Sequence, residues 1–104
     1  MIESVLFTSD ADDDIAEAFK WYEQRGTGLG EDFLRRIDAC VSGIKRYPTA
    51  NRVVFDTFRR AHVRRFPFEI YYEINAEKVI IHYVFHTAQH PQKWRDRLTH
   101  PRKN

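Results

Sequence analysis

Two hydrophobic periods run along this chain of 104 residues. Ile2–Thr8 alternates apolar and polar, which predicts a short opening strand. Ala11, Ile15, Ala18, Phe19 and Tyr22 then recur at steps of three and four, and that spacing lays one apolar stripe along a helix. Ser9-Asp10-Ala11-Asp12 has the form of a capping box, with the Ser9 oxygen accepting from the Asp12 amide. Asp12, Asp13 and Asp14 fill the first turn, where carboxylates meet the positive end of the helix dipole. Gly26 ends the helix, and Gly28 and Gly30 flank a tight turn. A second stripe follows in Leu29, Phe33, Ile37, Cys40, Val41 and Ile44, and Tyr47-Pro48 stops it. Two such helices joined by a short turn predict an antiparallel hairpin.

From Asn51 the period falls to two. Val53, Val54, Phe55 and Phe58 open a β-rich region, and Arg60–Arg65 reads as extended and basic. Pro67 has no N–H to give to a ladder, so Phe66-Pro67-Phe68 predicts a turn or bulge. Phe68, Ile70, Tyr72 and Ile74 alternate with Glu69, Tyr71 and Glu73, the clearest strand pattern in the chain. Asn75-Ala76-Glu77 is a turn, and Lys78–His86 is nearly continuous in β-branched and aromatic residues, as a central strand requires. Pro91 suits the first turn of a short final helix carrying Trp94, Arg95 and Arg97. The order β-α-α-β-β-β(-α) gives an α+β class, a two-layer domain with the helical hairpin on one face of a small, antiparallel-rich sheet. The other face is left for solvent or a partner.

Composition narrows this picture. A chain of this length is one domain, spanning 1–104, with enough apolar content for a core. One cysteine, Cys40, excludes an intrachain disulfide and a cysteine-based zinc site, and its place in an apolar stripe predicts a buried, inert thiol. No basic region followed by an apolar run opens the chain, and no stretch nears the ~20 apolar residues of a membrane span, so a cytoplasmic protein is expected. Net charge is only +2, yet residues 1–50 hold 6 Lys/Arg against 10 Asp/Glu, and residues 51–104 hold 11 against 5. The basic half can face an anionic partner, or the two halves can form oppositely charged layers of one domain.

Several constellations invite a chemical reading. Gly26-x-Gly28-x-Gly30 joins two helices and follows no strand, so it is not a phosphate loop. Three consecutive aspartates on a helix point about 100° apart and do not converge on a metal. His86 and His90 stand four apart, but a strand end and a following proline keep them off one continuous helix, and no Cys, Asp or Glu lies near in sequence. Glu69 and Glu73 are ~13 Å apart along a strand, too far for an acid/base dyad, and are expected to pair with neighbouring arginines. His82 is expected to be a satisfied structural histidine and His62 exposed. Arg59-Arg60 and Arg64-Arg65 can contact phosphate, and Trp21 is expected at the rim of the core.

Ala18–Tyr22, Gly28-Leu29-Gly30 with Phe33-Leu34, Pro48, Arg65–Phe68 with Ile70-Tyr71-Tyr72, and His86 followed by Pro91 and Trp94 occur in this order. Together they resemble the RelE/ParE superfamily of toxins from type II toxin–antitoxin modules, and most of all its ParE-like branch. The resemblance implies a toxin neutralised by a cognate antitoxin, in a hetero-oligomer, with no cofactor or metal. It implies one of two activities: poisoning of DNA gyrase without any hydrolysis, or cleavage of messenger RNA on the ribosome. RNA cleavage needs a base, an acid and a cation for the phosphorane. Arg64 matches a catalytic arginine of the ribonuclease branch. That branch carries a further arginine after the last strand, where this chain has Thr87-Ala88-Gln89, and a tyrosine where this chain has Trp94. An indole N–H is no general acid at neutral pH, so a ribonuclease would have to use Arg64, His86 and His90. A gyrase poison needs only a recognition surface of arginine and aromatic anchors; Arg60, Arg64, Arg65, Lys93, Trp94, Arg95 and Arg97 are the residues expected to form it. A non-toxic interaction domain of the same fold is the reading from a different class.

Overall fold

The computed structural model of the chain describes residues 1–88. Strand β1 (Ser4–Phe7) leads into helices α1 (Ser9–Arg25) and α2 (Leu29–Arg46). Four strands follow: β2 (Val53–Phe55), β3 (Phe58–His62), β4 (Phe68–Asn75) and β5 (Lys78–His86). They form one sheet in the order β1-β5-β4-β3-β2. β1 runs parallel to β5 and the remaining pairs are antiparallel. The expected α+β class and the central place of β5 are both found. The helix expected from Pro91 lies outside the described residues.

The first helix is capped one residue earlier than its sequence suggests. Thr8, with extended dihedrals, accepts from the Ala11 amide and is the cap in place of Ser9. Its hydroxyl also donates to the His82 carbonyl at 2.9 Å, a tertiary bond that decides between two adjacent hydroxyl residues. α2 begins at Gly28, whose φ of 89° lies in the left-handed region and which brings no side-chain cap. Glu23 supplies that cap from the preceding helix: its two carboxylate oxygens accept from the Gly28 and Gly30 amides, each at 3.0 Å. A carboxylate here also meets the positive end of the α2 dipole.

The helical stripes cover one face of the sheet. Ala11, Ala18, Phe33, Ile37 and Ile44 pack with Ile70, Tyr72, Val79, Ile81 and Val84. Full burial of a side chain such as Phe33 or Ile44 contributes about 1.5–3 kcal/mol. The Tyr72 hydroxyl, in this core, donates to the Pro48 carbonyl at 2.8 Å and accepts from Asn51, while Arg59 donates to the Asn51 carbonyl at 2.6 Å. The α2–β2 loop is tied to the sheet by these bonds. Arg59 is thus engaged by backbone carbonyls.

The opposite face is not simply open. Tyr71, expected outward beside Glu69 and Glu73, is buried with Tyr83 and Phe85, and Val54, Phe55 and Phe58 pack against them. A bulge makes this possible. Tyr71 pairs with Tyr83 but Tyr72 pairs with Ile81, so His82 is the extra residue on β5. Before His82 the odd positions Val79 and Ile81 face the helices; after it the even position Val84 does. Without this one-residue reset, Tyr83 and Phe85 would point into the helical layer. The continuous apolar run in β5 is the record of a strand buried on both faces.

Candidate functional site

The turn from β3 to β4 places two of the arginines expected in a recognition surface. β3 stops at His62, so the extended stretch expected through Arg65 ends three residues early. Arg65 has φ 70°, a left-handed conformation that costs an L-residue about 1–2 kcal/mol. Two phenylalanines hold the turn. Phe66 packs edge-on against Tyr22 and Phe33, at 4.9 and 5.5 Å between centroids, and Phe68 lies 5.0 Å from Phe33. The Val63 amide donates to the Phe68 carbonyl at 2.9 Å. With Phe66 and Phe68 anchored inward, Arg64 and Arg65 are left exposed at the rim.

There they meet residues that no sequence pattern marks as functional. Arg65 lines one hollow with Asp32, Arg35 and Arg36 of α2, and Arg64 and Arg36 line the neighbouring one. Arg35 is ion-paired to Asp32. No carboxylate partners Arg36, Arg64 or Arg65 among the described residues. The basic rim therefore joins both halves of the chain. Adjacent arginines on an exposed helical side were visible in the sequence, but not the turn that packs beside them.

Arg60 belongs elsewhere. It points to the face of Tyr71, where its Nε stands 3.1 Å from Glu69 Oε2. Burial raises the Tyr71 phenol above its ordinary range, and a hydrogen bond from Arg60 partly offsets this. The expected Glu69–arginine pair is present. Glu73 differs: it takes a hydrogen bond from Thr57 and stands 2.8 Å from His82 Nε2, so its partners are a hydroxyl and a histidine. His82 rests edge-on against Phe58, and its buried Nε2, although close to the Glu73 carboxylate, makes no hydrogen bond of good geometry, so the satisfied histidine expected there is not what is found. His62 is exposed.

His86 ends β5 on the helical face, paired with Phe68 and 5.1 Å from its ring. Its Nδ1 accepts from the Ala88 amide at 3.0 Å, so the neutral ring carries its proton on Nε2. Asp14, Glu17, Trp21 and Tyr22 line the same cavity of about 300 Å³, and no described lysine or arginine does. Asp14 also accepts from the Val84 amide at 3.0 Å, which fastens α1 to β5 beyond the end of β1. Trp21 is half-exposed, with the Arg25 guanidinium 4.0 Å over its ring. His90, Lys93, Trp94, Arg95 and Arg97 lie outside the described residues.

Cys40 is a half-buried thiol whose Sγ lies 3.6 Å from the His62 carbonyl. Burial pushes its pKa up to about 11, so it stays a neutral thiol, in line with an inert role. Among the described residues no group of three His, Cys, Asp or Glu converges to hold a metal, and no helix is long and apolar enough to cross a membrane.

Comparison with known proteins agrees with this architecture. The family model of the ParE toxin of type II toxin–antitoxin system, parDE, matches residues 5–91. No curated protein matches. Among solved structures, the chromosomal ParDE toxin–antitoxin system from P. aeruginosa is similar, at a TM-score of 0.60 and 15% identity over 82% of this chain and 96% of that one. YafQ from E. coli strain BL21(DE3) has a TM-score of 0.52 at 12% identity, over 85% of this chain and 96% of that one. The RelB–RelE antitoxin–toxin complex from Methanococcus jannaschii has a TM-score of 0.50 at 16% identity, over 78% and 88%. At these identities the structural likeness is one of fold.

Proposed function

Because this chain belongs to the ParE toxin family of type II toxin–antitoxin systems, we propose that it arrests growth by binding and poisoning DNA gyrase and that a cognate antitoxin neutralises it. The observation that carries the choice of target is the setting of His86. A ribonuclease site must hold a phosphate between a base, an acid and a cation. His86 instead shares its cavity with the carboxylates of Asp14 and Glu17, which repel a phosphodiester. No described lysine or arginine lines that cavity, although Arg25 stacks on Trp21 at its wall; Arg36, Arg64 and Arg65 line separate hollows at the neighbouring turn. Recognition of a protein target requires no proton transfer, only anchors, and arginine and tryptophan are enriched in that role. Arg64 and Arg65 are the described residues that supply it here, while Arg60, expected with them, is paired with Glu69 on the other face of the sheet; Lys93, Trp94, Arg95 and Arg97, which follow β5 in sequence, complete the set we propose. An antitoxin partner follows from the family and accords with the toxin–antitoxin complexes that share the fold.

The test is inducible expression of the chain without an antitoxin. Growth arrest with induction of the DNA-damage response, inhibited supercoiling by purified gyrase and intact messenger RNA is the expected result. Arrest with codon-phased cuts in messenger RNA and normal supercoiling would replace gyrase by the ribosome. Normal growth would refute both toxin activities.

A further inference from the structure

The cavity of about 300 Å³ beside His86 has no part in the proposed target surface. Asp14, Glu17, Ala18, Trp21 and Tyr22 of α1 line it. They follow one another at steps of three, one, three and one, so they share one face of the helix. The two carboxylates stand toward the start of that face and the two rings toward its end. Ala18, 8% exposed, lies between them. Its single methyl leaves open the space that a longer residue of the helical stripe would fill. Phe68 and His86 close the cavity from the sheet.

The rings are held in place. Tyr22 meets Trp21 edge-on at 5.0 Å between centroids and is itself stacked on Phe33 at 5.5 Å. The Arg25 guanidinium lies 4.0 Å over the Trp21 ring, and Arg25 does not line the cavity. Trp21 therefore already carries one guanidinium, on its outer side. Glu17 makes no hydrogen bond or ion pair with a described residue. Glu17 is exposed and Trp21 half-exposed, so the cavity opens to solvent at this end.

We propose that this cavity binds one arginine side chain presented by a partner protein, with the guanidinium among Asp14, Glu17 and Trp21 and the methylene stem on Ala18 and Phe68. Charge sets the sign of the occupant: two carboxylates line the cavity and no described lysine or arginine does. Volume sets its size. A space near the lower end of ligand sites admits one long side chain and excludes a helix or a strand. The rings set its shape. A guanidinium is planar and weakly hydrated, stacks on aromatic faces and bonds carboxylates through two parallel N–H groups, whereas an ammonium is compact and strongly hydrated. The apolar stretch between acids and sheet suits a stem of methylenes. A side chain is favoured over free arginine because the free amino acid brings its own carboxylate to a site that already holds two. An arginine seated in an aromatic-walled pocket is also the usual form of an interface anchor. The inference does not depend on whether gyrase or the ribosome is attacked.

The probe is the capped peptide acetyl-Gly-Arg-Gly-amide, titrated into the isotope-labelled full chain. The readout is the nuclear magnetic resonance shift of the Trp21 indole N–H, assigned with Trp21→Phe. Saturation at about a millimolar is expected for a single anchoring side chain. Glu17→Gln should weaken binding about fivefold. Asp13→Asn, at an exposed position of the same helix outside the cavity, should leave it unchanged. Both sites are exposed, so neither substitution threatens the fold. Lysine in place of arginine should weaken binding, and citrulline should abolish it. Absence of saturation would overturn the proposal. So would equal binding of the citrulline peptide, or an equal loss in Asp13→Asn, the mark of general attraction to an acidic helix. Free arginine binding as tightly as the capped peptide would overturn the protein partner in favour of a small molecule. Saturation seen only after Arg95→Gln with Arg97→Gln would assign the cavity to the chain's own arginines and overturn the partner equally.

Discussion

Two glycines of α2 should respond in opposite directions to the same added methyl group. At Gly30 a Cβ would lie 2.7 and 2.8 Å from the ring carbons of Phe19 and 3.0 Å from Glu23 Oε1. Ordinary contacts are nearer 3.5–4 Å, so the Phe19 ring must retreat by roughly 0.7 Å, and a carboxylate that caps α2 must yield with it. Overpacking of this kind costs about 1–3 kcal/mol. The gain in helix propensity at a first-turn position offsets only part of it, for a net loss of about 1–2 kcal/mol. At Gly43 the added methyl meets nothing. There the propensity term stands alone and Gly43→Ala should stabilise by about 0.5–1 kcal/mol, partly by restricting the unfolded chain. An unfolding entropy of roughly 2.1 cal/mol/K per residue makes 1 kcal/mol worth about 4–5 °C in a chain of this size. Thermal melts followed by circular dichroism should therefore show Gly30→Ala falling by about 4–9 °C and Gly43→Ala rising by about 2–5 °C. The double variant should be additive, since the sites share no contact. Shifts of the same sign would refute the reasoning: a joint rise would mean that the Gly30 contact is not tight, and a joint fall that the space beside Gly43 is not open.

Glu23→Ala removes both bonds that cap α2 and should lower the melting temperature by about 7–13 °C, corresponding to about 1.5–3 kcal/mol for hydrogen bonds to a charged acceptor; a change under about 2 °C would show that the turn holds itself. Arg65→Asn relieves a left-handed residue at an exposed site and should raise stability by about 0.5 kcal/mol, measurable as a higher denaturant midpoint at constant slope. Burial raises the pKa of Cys40 to about 11 and those of Tyr22, Tyr71 and Tyr72 above 10.0. These groups favour folding while neutral, so their contribution is intact below pH 9 and is lost as pH rises through the folded values. Melting temperature should start to fall near pH 9, and Cys40→Ala should delay that onset by about one pH unit; an unchanged melting point at pH 11 would contradict the burial of these groups. His86→Ala combined with His90→Ala should leave growth arrest and gyrase inhibition largely intact, whereas loss of all activity would point to acid/base chemistry.

How far the sequence reached depended on whether a feature was local. The stripe of Ala11, Ile15 and Ala18 and the alternation through Phe68, Ile70 and Tyr72 are periodic within one element, and both elements formed where the pattern put them. The choice of Thr8 over Ser9 as cap turned on the His82 carbonyl, 74 residues away. The reset at His82 is hard to see in the run Val79–Phe85 because apolar residues stand on both sides of that strand, and its single polar residue is the bulged position itself. Arg64 and Arg65 were legible as candidates. Their neighbours Arg35 and Arg36 were not, since only the fold brings that turn to that helix.

The charge pattern makes the same point with a functional consequence. An acidic first half and a basic second half left two readings open, an anionic partner for the basic half or two oppositely charged layers. Among the described residues charge is also sorted along the helical hairpin. Asp14 and Glu17 of α1 line the cavity at the end of β5, and Arg35 and Arg36 of α2 join Arg64 and Arg65 beside β3. β5 and β3 are separated by β4, but the turn that carries Arg64 and Arg65 is fastened to the end of β5, where the Thr87 amide donates to the Pro67 carbonyl at 2.7 Å. The arginines and His86 thus adjoin at one end of the sheet while lining separate hollows, and the carboxylates of Asp14 and Glu17 stand on the His86 side of that junction. On the proposed reading, recognition of a protein by anchors in separate hollows requires no proton transfer between them.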